Sequence, residues 1–140
     1  MTAKQTALVQ QSFAKILPLA DAAAALFYGR LFTLDPAVRP LFKGELKDQG
    51  RMLMQTIGFA VKGLHQPDAI LPAVQELGKR HKGYEVKEEH YDTVGAALLW
   101  TLEQGLGEEF TPEVRASWAA AHDLLASVMK GAAARAEPRS

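Results

Sequence analysis

One histidine, His81, ends an apolar helical stripe and is the residue of this chain best placed to do chemistry. Val74, Leu77 and His81 stand at positions i, i+3 and i+7, so a helix would place them on one face. An imidazole on an apolar face needs a partner, because an unpaired buried polar group is costly. The pattern fits a core histidine satisfied by hydrogen bonds, and also an axial ligand of haem iron with Leu77 packed on the porphyrin. Taken alone, the stripe favours the core histidine.

Two other interpretations of the same region involve a different metal or an anion. His81, His90 and a carboxylate could form a non-haem metal site, but no ligand-spacing motif supports it. The basic run 79–82 could bind an anion or nucleic acid, but the zero net charge favours a solvated face, where one cation could pair with a haem propionate. Of the remaining histidines, His65 is expected in an exposed loop and His122 in a half-buried packing position.

A tyrosine and a glutamine supply candidate hydrogen-bond donors. Tyr28 lies in the aromatic run 27–32 near the end of the second predicted helix, and Gln49 shares a helix face with Leu53 four residues later. A core tyrosine bonded to a backbone carbonyl is the structural alternative for Tyr28. Gln49 alone would be a solvated surface residue. Their spacing leaves these alternatives open.

The composition restricts the class of protein. The chain has 140 residues, 48% of them hydrophobic, which is the size of one domain with its own core. Lys and Arg balance Asp and Glu at 16 each, so we expect no nucleic-acid or anionic-membrane partner. Cysteine is absent, which excludes disulfides and thiol catalysis. The longest apolar run, 22–28, is too short to span a bilayer, and the N-terminus lacks a signal-peptide pattern. We therefore expect a cytoplasmic protein.

Proline and capping signals divide the chain into helices. Thr2 and Gln5 fit a capping box, and Asp35 before Pro36 starts a short turn. Asp68 is expected to cap the helix that carries His81, and Pro72 is expected in the first turn of that helix. Gly105 and Gly107 are expected to end the following helix, which begins near residue 87. The predicted helices cover about 3–17, 19–34, 48–64, 68–82, 87–104 and 112–131, with the short turn over 35–42.

No segment shows the alternation of a strand, so the predicted fold class is all-α, with about six main helices and one short turn. Thr111 followed by Pro112 and Glu113 is the clearest helix start. The last helix is expected to fray after Gly131, which gives one domain over 1–132 and a tail over 133–140.

The order of these residues resembles a globin. The aromatic run 27–32, Pro36, Phe42, Gln49 and His81 follow one another at globin-like intervals, and the resemblance covers about residues 3–130. Within that family the chain is most similar to the bacterial single-domain branch, which is related to the haem domain of flavohaemoglobins. Tyr28 together with Gln49, the stretch 90–95 and Trp118 carry this closer resemblance.

The resemblance implies a globin fold that encloses haem b and a role for each matching residue. It makes His81 the proximal iron ligand and Tyr28 and Gln49 the polar distal pair, where any catalysis would occur. Ala24 and Gly50 match the small positions where two family helices cross. The remaining haem contacts that it implies are Phe42, Leu53, Leu77 and Tyr91.

The function implied by the resemblance is reversible O2 binding at ferrous iron, with CO and NO as further ligands. NO dioxygenation would need a separate reductase, because the chain shows no dinucleotide fingerprint. Ala133 stands at the apparent position of a glutamate that flavohaemoglobins place beside the proximal histidine, a departure that argues against strong proximal assistance. The alternative function is a haem-free or haem-sensing globin that acts as a regulatory interaction module.

Overall fold

A computed structural model describes the backbone of residues 2–41, 46–83 and 88–135. Side chains are described over the same ranges except at positions 41, 67, 77–83, 88–89 and 132–135. The described residues form six α-helices joined by loops and short 3-10 helices, which confirms the predicted all-α class. The helices are α1 (Ala3–Ile16), α2 (Ala20–Leu34), α3 (Leu46–Lys62), α4 (Pro67–Gly83), α5 (Glu88–Leu106) and α6 (Pro112–Arg135), with 3-10 segments at Leu17–Leu19, Pro36–Leu41 and Gly107–Glu109.

Local start signals determine several helix ends as predicted. The capping box at α1 is complete: the Gln5 amide donates to Thr2 Oγ1 at 3.1 Å, and the Thr2 amide donates to Gln5 Oε1 at 3.0 Å. The 3-10 turn after α2 begins with the Ala37 amide donating to Asp35 Oδ1 at 3.2 Å. At α6, the Val114 amide donates to Thr111 Oγ1 at 3.2 Å.

Two helix boundaries differ from the sequence prediction around α4 and α5. The α4 helix begins at Pro67, so Asp68 lies inside its first turn rather than at the cap, and Pro72 lies in the second turn. Proline at the first position needs no backbone donor, and an acid in the first turn still complements the helix dipole. Gly105 lies within α5, and the helix ends only before Gly107, whose φ of +57° suits glycine.

Gly105 lies inside α5, where its missing side chain leaves room for Ile16 of α1. A Cβ atom at position 105 would lie 2.5 Å from Ile16 Cδ1 of α1, so the Ile16 side chain would have to move to accommodate a larger residue. At the other end of the chain, the helical backbone of α6 continues to Arg135, past the end predicted at Gly131. The α3 helix likewise begins at Leu46, two residues before the predicted start at Asp48.

The hydrophobic core is built by helix pairs that are distant in the chain. The closest packing among described residues joins α4 to α6, α2 to α5 and α3, and α1 to α6. Trp118 of α6 is 3% exposed, and its Nε1 donates to Ser12 Oγ of α1 at 2.8 Å. That bond satisfies the one polar atom of a large buried ring. The largest core cluster includes Val9, Phe13, Ile16, Val61, Leu102, Leu106, Val114 and Trp118.

One stretch of the described chain, Ala3–Leu34, is long and apolar enough to cross a membrane by length and composition alone. It comprises α1, the first 3-10 segment and α2. The buried helices of a water-soluble domain meet the same criterion. In this protein α1 packs against α6 and α2 against α5, and 33% of the apolar window is buried.

Candidate functional site

The α2 and α3 helices cross at very close range, and this crossing positions the distal candidates. A Cβ atom at Gly50 would lie 2.9 Å from Ala24 Cβ and 3.8 Å from Tyr28 Cε2. No side chain can be added at Gly50 without moving one of the helices, because the neighbouring Ala24 Cβ is fixed to the backbone. The predicted small pair Ala24 and Gly50 is therefore confirmed. Gln49 and Leu53 are brought beside α2 by this contact.

Tyr28 is held in an aromatic and aliphatic environment. Its side chain is 5% exposed, lies edge-on to Phe27 with ring centroids 5.3 Å apart, and stacks on Phe32 at 6.0 Å. Burial raises the pKa of the Tyr28 phenol to about 12, because the charged phenolate would lose its hydration. At neutral pH the hydroxyl is therefore protonated and can donate a hydrogen bond.

Gln49 and Leu53 are half-buried on α3, which distinguishes Gln49 from a fully solvated surface residue. Leu53 packs against the buried cluster that contains Tyr28, so the structure brings these two predicted residues together. It also borders a small apolar void of about 20 Å³ that extends inward towards Trp118. The structure thus brings Tyr28 of α2 and Leu53 of α3 together, and the distal role of these residues and of Gln49 stays a prediction.

The sequence analysis missed Phe32 as a member of this set. Phe32 stacks on Tyr28 with an interplanar angle of 23°, and the two residues are four apart on α2. That i, i+4 spacing is the signal from which the contact could have been inferred. Phe32 limits the positions that the Tyr28 ring can adopt, and so helps to orient the hydroxyl.

Tyr91 of α5 lies in a different buried cluster from Tyr28, formed with residues of α4 and α6. Its side chain is 8% exposed, and Lys130 Nζ lies 5.4 Å from the ring centroid. Its cluster contains Val74, the first member of the stripe that leads to His81. The other buried members of this cluster are Ile70, Ala126 and Met129.

Three predicted haem contacts fall outside what the structure describes. The backbone of α4 runs through Leu77 and His81, but their side chains lie outside the described residues. Phe42 also lies outside the described residues. The roles assigned to these three residues therefore stay predictions.

A cleft of about 370 Å³ lies between α3 and the first half of α4. Its lining is a mixture of apolar and polar side chains: Gln55, Thr56, Phe59, Ala60, Ala73, Val74 and Glu76. The most extensive packing of α4 is on α6, which leaves α3 and α4 apart along this cleft. None of these lining residues is among the predicted haem contacts, although Val74 begins the stripe that leads to His81. Tyr28 of α2 and Gln49 of α3 lie outside this lining.

The remaining histidines take structural positions. His122 packs against Gly95, where a Cβ atom would lie 2.7 Å from His122 Cε1, and the predicted half-buried position is confirmed. His65 is exposed, also as predicted. His90 Nε2 lies 4.0 Å from Asp35 Oδ2, a contact that the sequence analysis did not foresee.

The described side chains contain no group of three or more His, Cys, Asp or Glu residues able to hold a metal ion. The alternative non-haem metal site includes His81, whose side chain lies outside the described residues, so that site stays a prediction.

The helix arrangement defines the class: an all-α protein with a cleft between α3 and α4, and a buried phenol where α2 crosses α3. A family model described as globin matches residues 25–129, three quarters of the sequence. The chain therefore belongs to the globin family.

Two solved structures share the fold over nearly their whole length. A bacterial globin from Campylobacter jejuni superimposes with a TM-score of 0.84 at 23% sequence identity, covering 96% of this chain and 97% of that one. An engineered carbene transferase from Rhodothermus marinus, whose parent is described only as a candidate nitric oxide dioxygenase, gives a TM-score of 0.87 at 23% identity, covering 96% and 94%. Both similarities agree with the predicted globin fold and with the resemblance to bacterial globins.

Proposed function

We propose that the protein is a haem-binding globin that binds O2 reversibly, with Tyr28 and Gln49 as distal hydrogen-bond donors. Haem b, when bound, supplies a ferrous iron that takes O2, CO or NO as ligand. The observation that carries the proposal is the buried, protonated Tyr28 at the crossing of α2 and α3. Membership of the globin family supports the cofactor.

The residues that would hold the haem come from four segments of the chain. His81 is the proposed proximal ligand on α4, with Leu77 one turn earlier against the porphyrin. Leu53 of α3 would cover the distal side, Tyr91 of α5 the proximal side, and Phe42 the edge. Leu53 and Tyr91 already lie in two different buried clusters, one with Tyr28 and the other with Val74. These clusters are the apolar surroundings that a porphyrin requires.

Tyr28 determines how long a polar ligand stays in the pocket. O2 on ferrous iron carries partial negative charge, so a hydroxyl that donates to it stabilises the bound form. Phe27 and Phe32 pack against the ring and restrict the positions that it can adopt before a ligand arrives. Gln49 on α3 adds a second donor of the right chemical type. Two donors predict tight binding with slow release.

We also propose NO dioxygenation, in which bound O2 and NO would combine to give nitrate. Haem, if bound by the residues named above, would supply the one electron for this reaction and would need one electron from an external reductant before the next turnover. The similarity to a structure derived from a candidate nitric oxide dioxygenase supports this second activity. Ala133, in place of a proximal glutamate, argues for a modest rate of reduction.

A haem titration followed by gas exchange tests the proposal. The purified chain should bind one haem and show a Soret band that shifts on reduction and again on addition of CO or O2. If the absorption spectrum after haem addition is still that of free haemin, the haem-binding proposal is wrong, and the alternative of a haem-free interaction module is favoured. A Soret band that responds to CO but never to O2 would favour a haem sensor.

A further inference from the structure

An open groove lies on the face of α3 turned towards α1. It has a volume of about 830 Å³, compared with about 370 Å³ for the cleft between α3 and α4. Ligand sites usually have volumes between about 300 and 1,000 Å³ and apolar walls with a few polar groups. The floor and walls here follow that pattern: Phe13, Ala14, Leu17, Met54, Gly58 and Val61 are apolar or small.

Small side chains keep the groove open. Ala14 is exposed on α1, and a Cβ atom at Gly58 would make only ordinary contact with Phe13, 3.4 Å from its Cε2. Leu17, at the end of α1, is 51% exposed although it belongs to an apolar wall. An apolar surface left open beside empty space is available to a hydrocarbon chain.

Charged side chains stand at both ends of the groove. Arg51 and Lys62 are 11 residues apart on α3, a distance of about 16 Å along the helix axis. Asp21 is the only acid in the lining, and it lies near the α1–α2 junction. His65 lies just beyond the end of α3, in the loop that leads to α4. The Lys62 end therefore offers one cation and one ionisable imidazole.

The two groups at that end are available to an external anion. The ion pairs found among the described side chains are made by other residues, so neither Lys62 nor His65 is neutralised there. The carbonyl groups at the end of a helix would weaken anion binding, because they carry partial negative charge. Gln10 offsets this effect: its Nε2 donates to the Val61 carbonyl at 3.0 Å and lies 3.5 Å from that of Lys62.

From these features we infer that the groove binds long-chain carboxylates, with the alkyl chain along the floor and the carboxylate at Lys62 and His65. The charge at the chosen end is complementary to a carboxylate and repels a cationic amphiphile. A neutral hydrocarbon would gain no charge pairing with Lys62, which is exposed at the end of the groove. The groove uses none of the residues proposed to contact haem, so the inference does not depend on the proposed gas binding.

The test is isothermal titration of the full-length, haem-loaded protein with sodium laurate below its critical micelle concentration. Binding should saturate at one laurate per chain and leave the Soret band unchanged. Octanoate and decanoate should bind progressively more weakly, by about two- to fourfold per methylene removed, the range set by full or partial burial of each group.

Matched variants locate the site. Ala14→Trp fills the groove from an exposed position and should abolish saturable binding, whereas Ala116→Trp, at an exposed alanine of α6, should not. Lys62→Gln should weaken laurate binding by about two- to fivefold, the range for one solvent-exposed ion pair. Lys47→Gln, at an exposed lysine of α3 outside the groove, should leave the affinity unchanged.

Four results would overturn the inference. They are the absence of saturable laurate binding, equal binding by wild type and Ala14→Trp, equal affinity for laurate and dodecyltrimethylammonium, and a laurate-induced change in the Soret band. The last result would place the ligand in the haem cleft instead. Circular dichroism of each variant establishes that lost binding is not lost folding.

Discussion

Replacing Tyr28 with phenylalanine isolates the hydroxyl from the packing of the ring. The ring is 5% exposed and lies between Phe27 and Phe32, and both contacts involve ring faces and edges that phenylalanine keeps. The variant should therefore fold normally. Any change in ligand binding then measures the lost hydrogen-bond donor.

The expected magnitude follows from the charge on the acceptor. A hydrogen bond to a charged or partly charged group contributes about 1.5–3 kcal/mol, and each ~1.4 kcal/mol is worth a factor of ten. Tyr28→Phe should thus weaken O2 binding by roughly 10- to 150-fold. The loss should appear in the dissociation rate, because the donor acts after the ligand has bound. CO is much less polarised, so its release should change far less.

Stopped-flow measurement of O2 and CO release tests this prediction. Thr33→Val is the control, because it removes an exposed hydroxyl from the same helix, α2, at a residue not proposed to contact haem, and should leave O2 release nearly unchanged. Gln49→Leu should accelerate O2 release more weakly than Tyr28→Phe, since a flexible amide is less well fixed than the phenol. Equal acceleration of O2 and CO would show that Tyr28 acts by steric exclusion, and no change in either would refute its distal role.

Three further predictions concern packing, ionisation and turnover. Gly50→Val should destabilise the fold by about 1–3 kcal/mol, because its Cβ would lie 2.9 Å from Ala24 Cβ. Gly29→Ala is the control: a Cβ there meets nothing within 4 Å, and alanine favours a helix over glycine, so it should stabilise the fold by about 0.5–1 kcal/mol. Urea unfolding measures both changes. Burial raises the pKa of Tyr28 to about 12, whereas in the unfolded chain it is about 10, so the unfolded state loses its proton first as the pH rises. The free energy of unfolding should therefore fall between about pH 10 and 12 in the wild type, and this contribution should be absent in Tyr28→Phe. The O2-loaded protein mixed with NO should become ferric once and then stop, as seen by absorbance, and NAD(P)H without a reductase should not restart it.

Local signals made most helices predictable, and errors arose where tertiary packing decided the outcome. The capping box at Thr2 and the start at Pro112 involve neighbours in sequence, so their residues suffice. Gly105 was wrongly expected to break a helix, because the close approach of Ile16 that explains this glycine comes from a different helix. The contact of His90 with Asp35 joins distant segments and had no local signal.

The candidate site was predictable to the extent that it depends on one helix face or on the family resemblance. Spacing along α3 placed Gln49 beside Leu53, and the resemblance supplied the close crossing of Ala24 with Gly50 that the structure confirms. The groove between α1 and α3 could not be foreseen, because it results from small residues on two helices whose separation is a property of the whole fold.

Axial ligation by His81 is the central claim, and resonance Raman spectroscopy of the ferrous protein without gas tests it most directly. Wild type should show an iron–histidine stretching band. The band should disappear in His81→Ala, return in part when imidazole is added, and persist in His65→Ala, which removes an exposed histidine. An unchanged iron–histidine band in His81→Ala would contradict the account.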